Sequence, residues 1–346
     1  MSTPDDAQAS NPPPPTMALL HLIHGSKISQ LLYVVAKLGI ADLLRDGTKH
    51  SEELAQAVVA HPRTLYRILR ALASLGVFAE EQAQRFHLTP LAELLRTDHP
   101  ESLRALAIFY GEEWVWHAEG ALLYSVLTGK AAFHQVHGMG PFDYYREHAD
   151  AAACFNAAMT SLSGQELAAV TAAYDFAGMA TIVDVGGGQG ALLAEILKTY
   201  PHLRGILVDL PAVVESAQPL LEAEGVTARC TCVAGDFFQT VPGGGDAYLL
   251  KRVIHDWDDV PAATILTQCR RAMAAHSRLL LMERVIPPGN APSLGKLADI
   301  TMLLHYGPTG LNPRLHVICS ICLSEKELYQ RCQVCMMAES ARAICL

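Results

Sequence analysis

The sequence of 346 residues contains no long apolar run. A membrane helix needs about 20 consecutive apolar residues, whereas the best candidate, Leu31 to Leu44, is interrupted by Lys37 and Asp42. The start of the chain, 1–16, is polar and proline-rich, unlike a signal peptide with an apolar centre. We therefore expect a cytoplasmic protein with a disordered N-terminal arm and no association with a membrane.

Charged residues are also scarce, at 18% of the chain, while 51% of it is hydrophobic. This balance excludes a mainly disordered protein. The formal net charge of −9 argues against wholesale binding of nucleic acid. At roughly 150 residues per domain, the length predicts two domains. The nine cysteines, an odd number, are interpreted as reduced thiols.

The segment 17–106 has the pattern of a winged helix. Ser51 is a good N-cap residue and is followed by acidic residues, and 61–76 places leucines at helical spacing before Gly76, a plausible helix end. Two short strand-like pieces, Val77-Phe78 and Phe86 to Leu88, then flank a polar turn. Helix, turn, helix and hairpin is the outline of a winged helix.

A winged helix allows two interpretations. Arg63, Arg67 and Arg70 lie on one face of the second helix, which is compatible with DNA recognition. However, the segment holds ten basic and nine acidic residues, which is not the basic footprint that phosphate binding requires. We therefore favour a dimerisation domain and expect no nucleic-acid partner.

The segment 107–173 is predicted to be helical and is rich in aromatic and methionine side chains. Such a stripe is more often helix core than the wall of a ligand site. The segment is interpreted as a substrate lid only if the neighbouring domain supplies a binding site that needs an apolar cover. The residues in question are Trp114, Trp116, Phe133, Phe142, Tyr144, Tyr145, Phe155 and Met159.

Beyond residue 174, apolar strand patterns alternate with helical ones. Five strands are predicted, at 181–185, 205–210, 228–234, 246–254 and 278–283, with helices such as 190–200 and 260–275 between them. This alternation is typical of an α/β fold with a doubly wound, mostly parallel sheet. Ligands of such sheets bind beyond the carboxyl ends of the strands.

Polar residues follow the ends of all five predicted strands, and a glycine loop follows the first. The loop begins at Asp184, which we expect to brace it, and lets the backbone approach a ligand closely. Asp209, at the second strand end, is placed to accept hydrogen bonds from ribose hydroxyls. Gly186-x-Gly188-x-x-Ala191 also satisfies the dinucleotide fingerprint, so at this point an NAD(P)-dependent oxidoreductase remains an equal alternative.

The later strand ends favour a different nucleoside cofactor. Gly235-Asp-Phe-Phe suits an adenine rather than a pyrophosphate, and His255-Asp-Trp and Glu283 follow in order. Together with Asp184-Val-Gly-Gly-Gly and Val208-Asp-Leu-Pro, these motifs make the chain from about 17 to 299 resemble the small-molecule O-methyltransferase family that includes caffeate and hydroxyneurosporene methyltransferases. The resemblance implies an enzyme of secondary metabolism with an N-terminal winged-helix dimerisation domain.

The resemblance also implies specific roles. His255 would be the general base, and Glu283, 28 residues later at the neighbouring strand end, would orient its imidazole. A phenol with a pKa of about 10 gains reactivity when a base near pKa 6.5 removes its proton. S-adenosylmethionine would be held by residues at the strand ends, namely Gly186, Asp209, Asp236, Phe237 and Lys251.

The implied substrate is a small, planar, mostly apolar molecule with an acidic hydroxyl, and the implied assembly is a homodimer. The candidate pocket residues are Trp116, Phe155, Met159, Trp257, Met302 and Leu303. The resulting organisation is an arm at 1–16, a dimerisation domain at 17–106, a helical lid at 107–173, a cofactor-binding domain at 174–310 and an atypical tail at 311–346.

The tail departs from the family pattern after 299. The second glutamate and the two closing strands that the family carries there have no assignable counterpart, and without such strands the sheet would have a bare edge. The pairs Cys319–Cys322 and Cys332–Cys335 allow a four-thiolate zinc site, although a divergent tail without metal is the preferred interpretation.

Two further hypotheses stay open besides the oxidoreductase. One is a winged-helix regulator that keeps the cofactor fold as a ligand sensor. The other is a family member that keeps the cofactor but has changed its chemistry, for example to hydroxylation.

Overall fold

The computed structural model describes residues 14–257, 259–284, 286, 289–307, 332–337 and 343–345. The chain forms two compact units that divide between Thr97 and Asp98. The helical segment predicted at 107–173 therefore lies in the second unit. Most of the predicted arm lies outside the described residues, but its last two residues, Pro15 and Thr16, begin the first helix. No helix in the described ranges has the length and apolarity to cross a membrane.

The first unit contains six helices and a three-stranded sheet among its described residues. The helices are α1 (Pro15–Ile23), α2 (Gly25–Lys37), α3 (Ile40–Leu43), α4 (Ser51–Ala57), α5 (Pro62–Ser74) and α6 (Pro90–Glu93). The strands are β1 (Lys49–His50), β2 (Phe78–Glu81) and β3 (Arg85–Leu88), in the order β1-β3-β2.

Helices α4 and α5 followed by the β2–β3 hairpin have the outline of a winged helix, as the sequence pattern predicts. The predicted N-cap, Ser51, is wrong by one residue: His50 caps α4 by accepting from the Glu52 N–H, and Glu53 accepts from the His50 N–H. The His50 imidazole thus does the capping expected of the Ser51 hydroxyl. That hydroxyl donates a hydrogen bond to Gln84 instead. Helix α5 ends where predicted, with Gly76 in the left-handed region at φ +77°.

The second unit begins with six helices and continues with alternating strands and helices. Its helices are α7 (Arg104–Gly111), α8 (Glu113–Gly120), α9 (Leu122–Thr128), α10 (Ala132–His137), α11 (Pro141–Glu147), α12 (Ala149–Ala173), α13 (Ala191–Thr199), α14 (Pro211–Ala223), α15 (Asp259–Ala272) and α16 (Leu294–Tyr306). Its strands are β4 (Thr181–Val185), β5 (Arg204–Asp209), β6 (Cys230–Ala234), β7 (Ala247–Lys251), β8 (Arg278–Arg284), β9 (Cys332–Met337) and β10 (Ala343–Cys345).

These seven strands form one sheet in the order β10-β9-β8-β7-β4-β5-β6. All neighbours from β9 to β6 are parallel, and only β10 runs antiparallel to its neighbour. The strands are apolar along most of their length because helices cover both faces. One buried cluster packs α13 and α14 against the sheet, and the other packs α15. The predicted α/β, mostly parallel fold is confirmed.

The fourth predicted strand, 246–254, is shorter in the structure. Strand β7 ends at Lys251 because Arg252 turns the chain with φ +56°, in the left-handed region that a side chain disfavours. The Arg252 N–H still bonds to the Met282 carbonyl of β8. This turn releases the next residues from the sheet, and His255 lies in a short 3-10 turn, Ile254–Asp256, beyond the strand end.

The closing strands that the sequence could not assign are present as β9 and β10, so β8 is not a bare edge. Cys332 and Cys335 of the zinc hypothesis lie in β9, where Cys335 pairs across the ladder with Cys345 of β10. Cys319 and Cys322 lie outside the described residues.

Candidate active site

A glycine loop after β4 passes directly over the buried side chain of Asp184. Gly186 and Gly188 have φ of +69° and +59°, which glycine adopts without steric cost. A Cβ at Gly187 would lie 2.6 Å from the Asp184 Cγ, so only glycine allows this close approach. The loop therefore packs tightly on the interior at Gly187, whereas a Cβ at Gly188 would meet open space.

Two acidic groups lie beneath and beside this loop. Asp184 is 1% exposed, and its Oδ2 has no hydrogen-bond partner among the described residues. Burial raises the pKa of Asp184 to about 7, an increase that the charge of Lys251 opposes and that of Asp209 supports. Asp209 accepts from the Gly188 N–H at 2.8 Å and the Leu210 N–H at 2.7 Å, although burial still raises its pKa.

The third strand end supplies Asp236 and an aromatic pair. Asp236 accepts from the Phe238 N–H at 2.9 Å, which fixes the turn after β6. The Phe237 ring lies close to the loop, since a Cβ at Gly186 would be 3.3 Å from its Cε1. Phe237 also meets Trp257 edge to face at 6.2 Å between ring centroids. Asp209 and Phe237, two of the side chains expected to hold a nucleoside, thus lie next to the glycine loop.

His255 and Glu283, from neighbouring strand ends, form a hydrogen-bonded pair. The imidazole Nδ1 lies 2.6 Å from the Glu283 Oε2, and the other carboxylate oxygen accepts from the Ile254 N–H at 3.0 Å. Because a carboxylate only accepts, this geometry assigns a proton to Nδ1 and leaves Nε2 as the basic atom. Glu283 is 7% exposed, so the pair is shielded from water.

A second carboxylate lies on the other side of the imidazole. The His255 Nε2 is 3.4 Å from the Asp256 Oδ1. Burial lowers the pKa of His255, but the charges of Glu283 and Asp256 together with the Glu283 hydrogen bond outweigh burial and the repulsion by Arg252, so its pKa is raised. The imidazolium is therefore stabilised, and a proton taken up at Nε2 is well accommodated.

Aromatic side chains form a wall next to this pair, which we call the aromatic wall: Phe142, Tyr145, Phe155, Trp257 and Tyr306. Phe142 and Trp257 are almost parallel, with 14° between planes and 5.4 Å between centroids. Phe142 also contacts Tyr306 at 5.7 Å and Phe155 at 6.3 Å. Tyr145 stacks on Phe155 at 4.7 Å. Such a wall matches the flat face of an aromatic ligand.

The other predicted pocket residues have different surroundings. Phe155 and Met159 pack against a buried cluster of α7, α8 and α12, so both also serve the core. Trp116 is half-buried on α8, as are Met302 and Leu303 on α16. Of the six pocket candidates, Phe155 and Trp257 are linked by ring contacts through the aromatic wall.

Sequence reasoning missed three features of the site. It gave no role to Asp256, although its position next to His255 was visible. It left Tyr145 within a general aromatic stripe. It also did not foresee the hydrogen bond that Thr160 of α12 donates to Gln189 of the glycine loop at 2.8 Å. This bond connects α12 to that loop. The polar glutamine between two glycines was the available signal.

No group of three or more histidine, cysteine or acidic side chains with the arrangement of a metal site exists within the described ranges.

Comparison with known proteins gives matches over both units. A family model for the O-methyltransferase domain matches residues 120–314. A second model, for the O-methyltransferase dimerisation domain, matches residues 20–98. The two models together span most of the winged-helix segment, helices α9–α12 and the sheet strands β4–β8.

Individual relatives cover most of the chain. It is 45% identical to a phenazine O-methyltransferase of Lysobacter antibioticus, over 85% of this chain and 86% of the relative. It is 38% identical to an 8-amino-8-demethylriboflavin N,N-dimethyltransferase of Streptomyces davaonensis, over 80% and 81%. A solved O-methyltransferase from neocarzinostatin biosynthesis, in complex with S-adenosylmethionine and 2-hydroxy-5-methyl naphthoic acid, superposes with a TM-score of 0.73 at 27% identity, covering 91% of this chain and 93% of that one.

Proposed function

Since the chain belongs to the O-methyltransferase family, we propose that it transfers a methyl group from S-adenosylmethionine to a hydroxyl of a small planar aromatic metabolite, with His255 as general base. The single observation that carries the proposal is the 2.6 Å contact between the His255 Nδ1 and Glu283, which leaves Nε2 available to accept a proton.

The crevice fits the cofactor. Bare backbone at Gly186, the carboxylates of Asp209 and Asp236, and the Phe237 ring offer hydrogen bonds and a flat apolar face to a nucleoside. The unpartnered Oδ2 of Asp184 below the loop adds an acceptor that a bound polar group would satisfy. The positive charge of Lys251 opposes the rise of the Asp184 pKa that burial causes, and it partly offsets the negative charge of the nearby acidic groups.

The chemistry divides between cofactor and chain. S-adenosylmethionine supplies, when bound, a methyl carbon attached to a positively charged sulfur. The His255 Nε2 removes the substrate hydroxyl proton as the oxygen–methyl bond forms and the sulfur–methyl bond breaks, so the proton ends on the imidazole. The Glu283 carboxylate stabilises the resulting imidazolium. The aromatic wall excludes water and aligns the substrate plane, which is the main contribution an enzyme makes to such a displacement.

A hydroxyl is preferred over an amine because of the base. A phenol with a pKa near 10 is largely protonated at neutral pH and needs a base before attack, whereas a neutral aromatic amine attacks through its lone pair and loses its proton afterwards. An imidazole oriented by a buried carboxylate is suited to the first task.

The test is incubation of purified protein with labelled S-adenosylmethionine and matched panels of phenols and aromatic amines, followed by detection of methylated products. We expect methylated phenols, and loss of roughly 100- to 10,000-fold in their formation in His255→Ala. Methylation of amines alone, or full activity of His255→Ala, would remove the proposed role of the base. Failure of calorimetry to detect S-adenosylmethionine binding would remove the cofactor.

The first unit is proposed to form a homodimer. Helix α1 buries none of its residues, and Leu22 and Ile23 are 77% and 60% exposed. A second copy would cover this apolar surface. Sedimentation of the wild-type chain should give a dimer, and Leu22→Glu should shift it toward monomer; a monomeric wild type would refute the assignment.

A further inference from the structure

Tyr145 carries a hydroxyl that the aromatic wall does not need. Its ring stacks on Phe155 with 4.7 Å between centroids and meets Trp114 edge to face at 5.5 Å. The residue is 8% exposed, and its hydroxyl is buried with no hydrogen-bond partner among the residues that the structure describes. Phenylalanine would make the same ring contacts, as Phe142 and Phe155 do in the same wall.

A buried polar atom without a partner is unfavourable because its hydration has been lost and not replaced. Folded proteins seldom retain such an atom without a reason. Among the described residues nothing bonds to the Tyr145 hydroxyl, so a bound ligand can supply its partner.

The position of this hydroxyl relates it to the catalytic pair. Tyr145 contacts Phe142 at 6.1 Å, and Phe142 lies parallel to Trp257 two residues after His255. Asp256, whose Oδ1 is 3.4 Å from the His255 Nε2, acts electrostatically on the Tyr145 phenol. The hydroxyl and the basic nitrogen thus share one acidic neighbour and one aromatic wall.

We propose that Tyr145 is a specificity-determining residue whose hydroxyl donates a hydrogen bond to an acceptor atom of the substrate, a ring nitrogen or a carbonyl oxygen, distinct from the hydroxyl that is methylated. This inference rests on the proposed function and narrows its substrate class to planar hydroxylated aromatics that carry a second, acceptor group.

The protonation state supports a donor role. Burial, followed by the charge of Asp256, raises the pKa of Tyr145 well above its ordinary value, so the phenol keeps its proton. A donor in an apolar wall discriminates between ligands that differ in one acceptor atom, because a ligand without it leaves the donor unpaired.

The test compares the methylation rates of two sets of substrates. One set is hydroxyquinolines that carry the ring nitrogen at different positions, and the other is naphthols of the same shape. The wild type should prefer at least one hydroxyquinoline over its matched naphthol. In Tyr145→Phe, kcat/KM for that hydroxyquinoline should fall roughly 10-fold, mainly through KM, while the naphthol rate is unchanged. Tyr200→Phe is the matched control, since that ring contacts Phe176 and packs against the core cluster of α13 and α14, and it should alter neither substrate.

The melting temperature separates a substrate-binding hydroxyl from a structural one. On the proposal, the substrate-free Tyr145→Phe variant should melt no lower than the wild type, because it loses an unpaired polar atom and keeps its ring contacts; loss of a structural hydroxyl would lower the melting temperature. Equal effects on both substrates, no effect on either, or no wild-type preference for any hydroxyquinoline would overturn the proposal. If no phenol is methylated, the proposed function fails separately, and calorimetry of hydroxyquinoline binding to wild type and Tyr145→Phe still decides the hydrogen bond.

Discussion

Replacing Glu283 by glutamine tests the acid–base pair with the smallest change of shape. The two carboxylate oxygens accept from two different donors, the His255 Nδ1 at 2.6 Å and the Ile254 N–H at 3.0 Å. An amide keeps one oxygen and turns the other position into a donor. Either the Ile254 N–H loses its partner or the imidazole must present Nδ1 as an acceptor, which moves its proton to Nε2 and removes the base.

The size of the effect follows from the hydrogen bond to a charged group, which contributes about 1.5–3 kcal/mol. At about 1.36 kcal/mol per factor of ten, kcat should fall roughly 10- to 160-fold in Glu283→Gln. The assay is the initial rate of product formation at saturating cofactor and substrate. Glu195→Gln, a carboxylate of α13 paired with Lys198 in a surface ion pair, is the matched control and should leave the rate unchanged.

The pH profile adds a test with a definite sign. Activity should rise with pH as His255 loses its proton, with a midpoint above the ordinary histidine value because its pKa is raised. Removing the Glu283 charge destabilises the imidazolium, so the midpoint should move to lower pH while the maximal rate falls. A midpoint that stays in place or moves upward, or a rate within threefold of wild type (about 0.6 kcal/mol by the same conversion), would refute the reasoning.

Three other predictions concern the glycine loop and the sheet. Gly187→Ala should weaken S-adenosylmethionine binding in calorimetry, because its Cβ would overlap Asp184, whereas Gly178→Ala, with open space around it, should bind normally. Asp184→Asn should raise the melting temperature of cofactor-free protein more at about pH 8 than at about pH 5: because the pKa is raised from 3.8 to about 7, the wild-type fold loses stability progressively as pH rises from 3.8 through 7, and an amide does not. Tyr248→Phe should reduce the free energy of urea unfolding by about 1–3 kcal/mol without changing kcat, since its hydroxyl bonds three backbone groups far from the crevice; an unchanged unfolding midpoint would contradict this.

The sheet was predictable because its strands are buried on both faces and therefore appear as apolar runs. The grouping of polar side chains at the strand ends was predictable for a different reason: parallel strands bring their carboxyl ends to one edge of the sheet. The proximity of His255 and Glu283 follows from the adjacency of β7 and β8, while their 2.6 Å contact also depends on the turn at Arg252.

What the sequence did not reveal depends on contacts between segments that are distant along the chain. The Tyr145 hydroxyl is buried by the packing of α11 against α8 and α12, which no local pattern records. The left-handed turn at Arg252 ends β7 without a glycine, so the strand looked longer than it is. The cap at His50 was hidden because the adjacent serine is the better capping residue in general.

The base and the aromatic wall are encoded in largely separate stretches of sequence. His255 follows β7 and Glu283 lies near the end of β8, while three of the five wall residues, Phe142, Tyr145 and Phe155, belong to helices about a hundred residues or more earlier. We expect substitutions at Phe142 and Tyr145 of α11 to change which molecule is accepted, because no atom of the His255–Glu283 contact belongs to that helix. Directed evolution confined to α11 should therefore change substrate preference while retaining turnover, whereas changes in α12 also reach the glycine loop through Thr160.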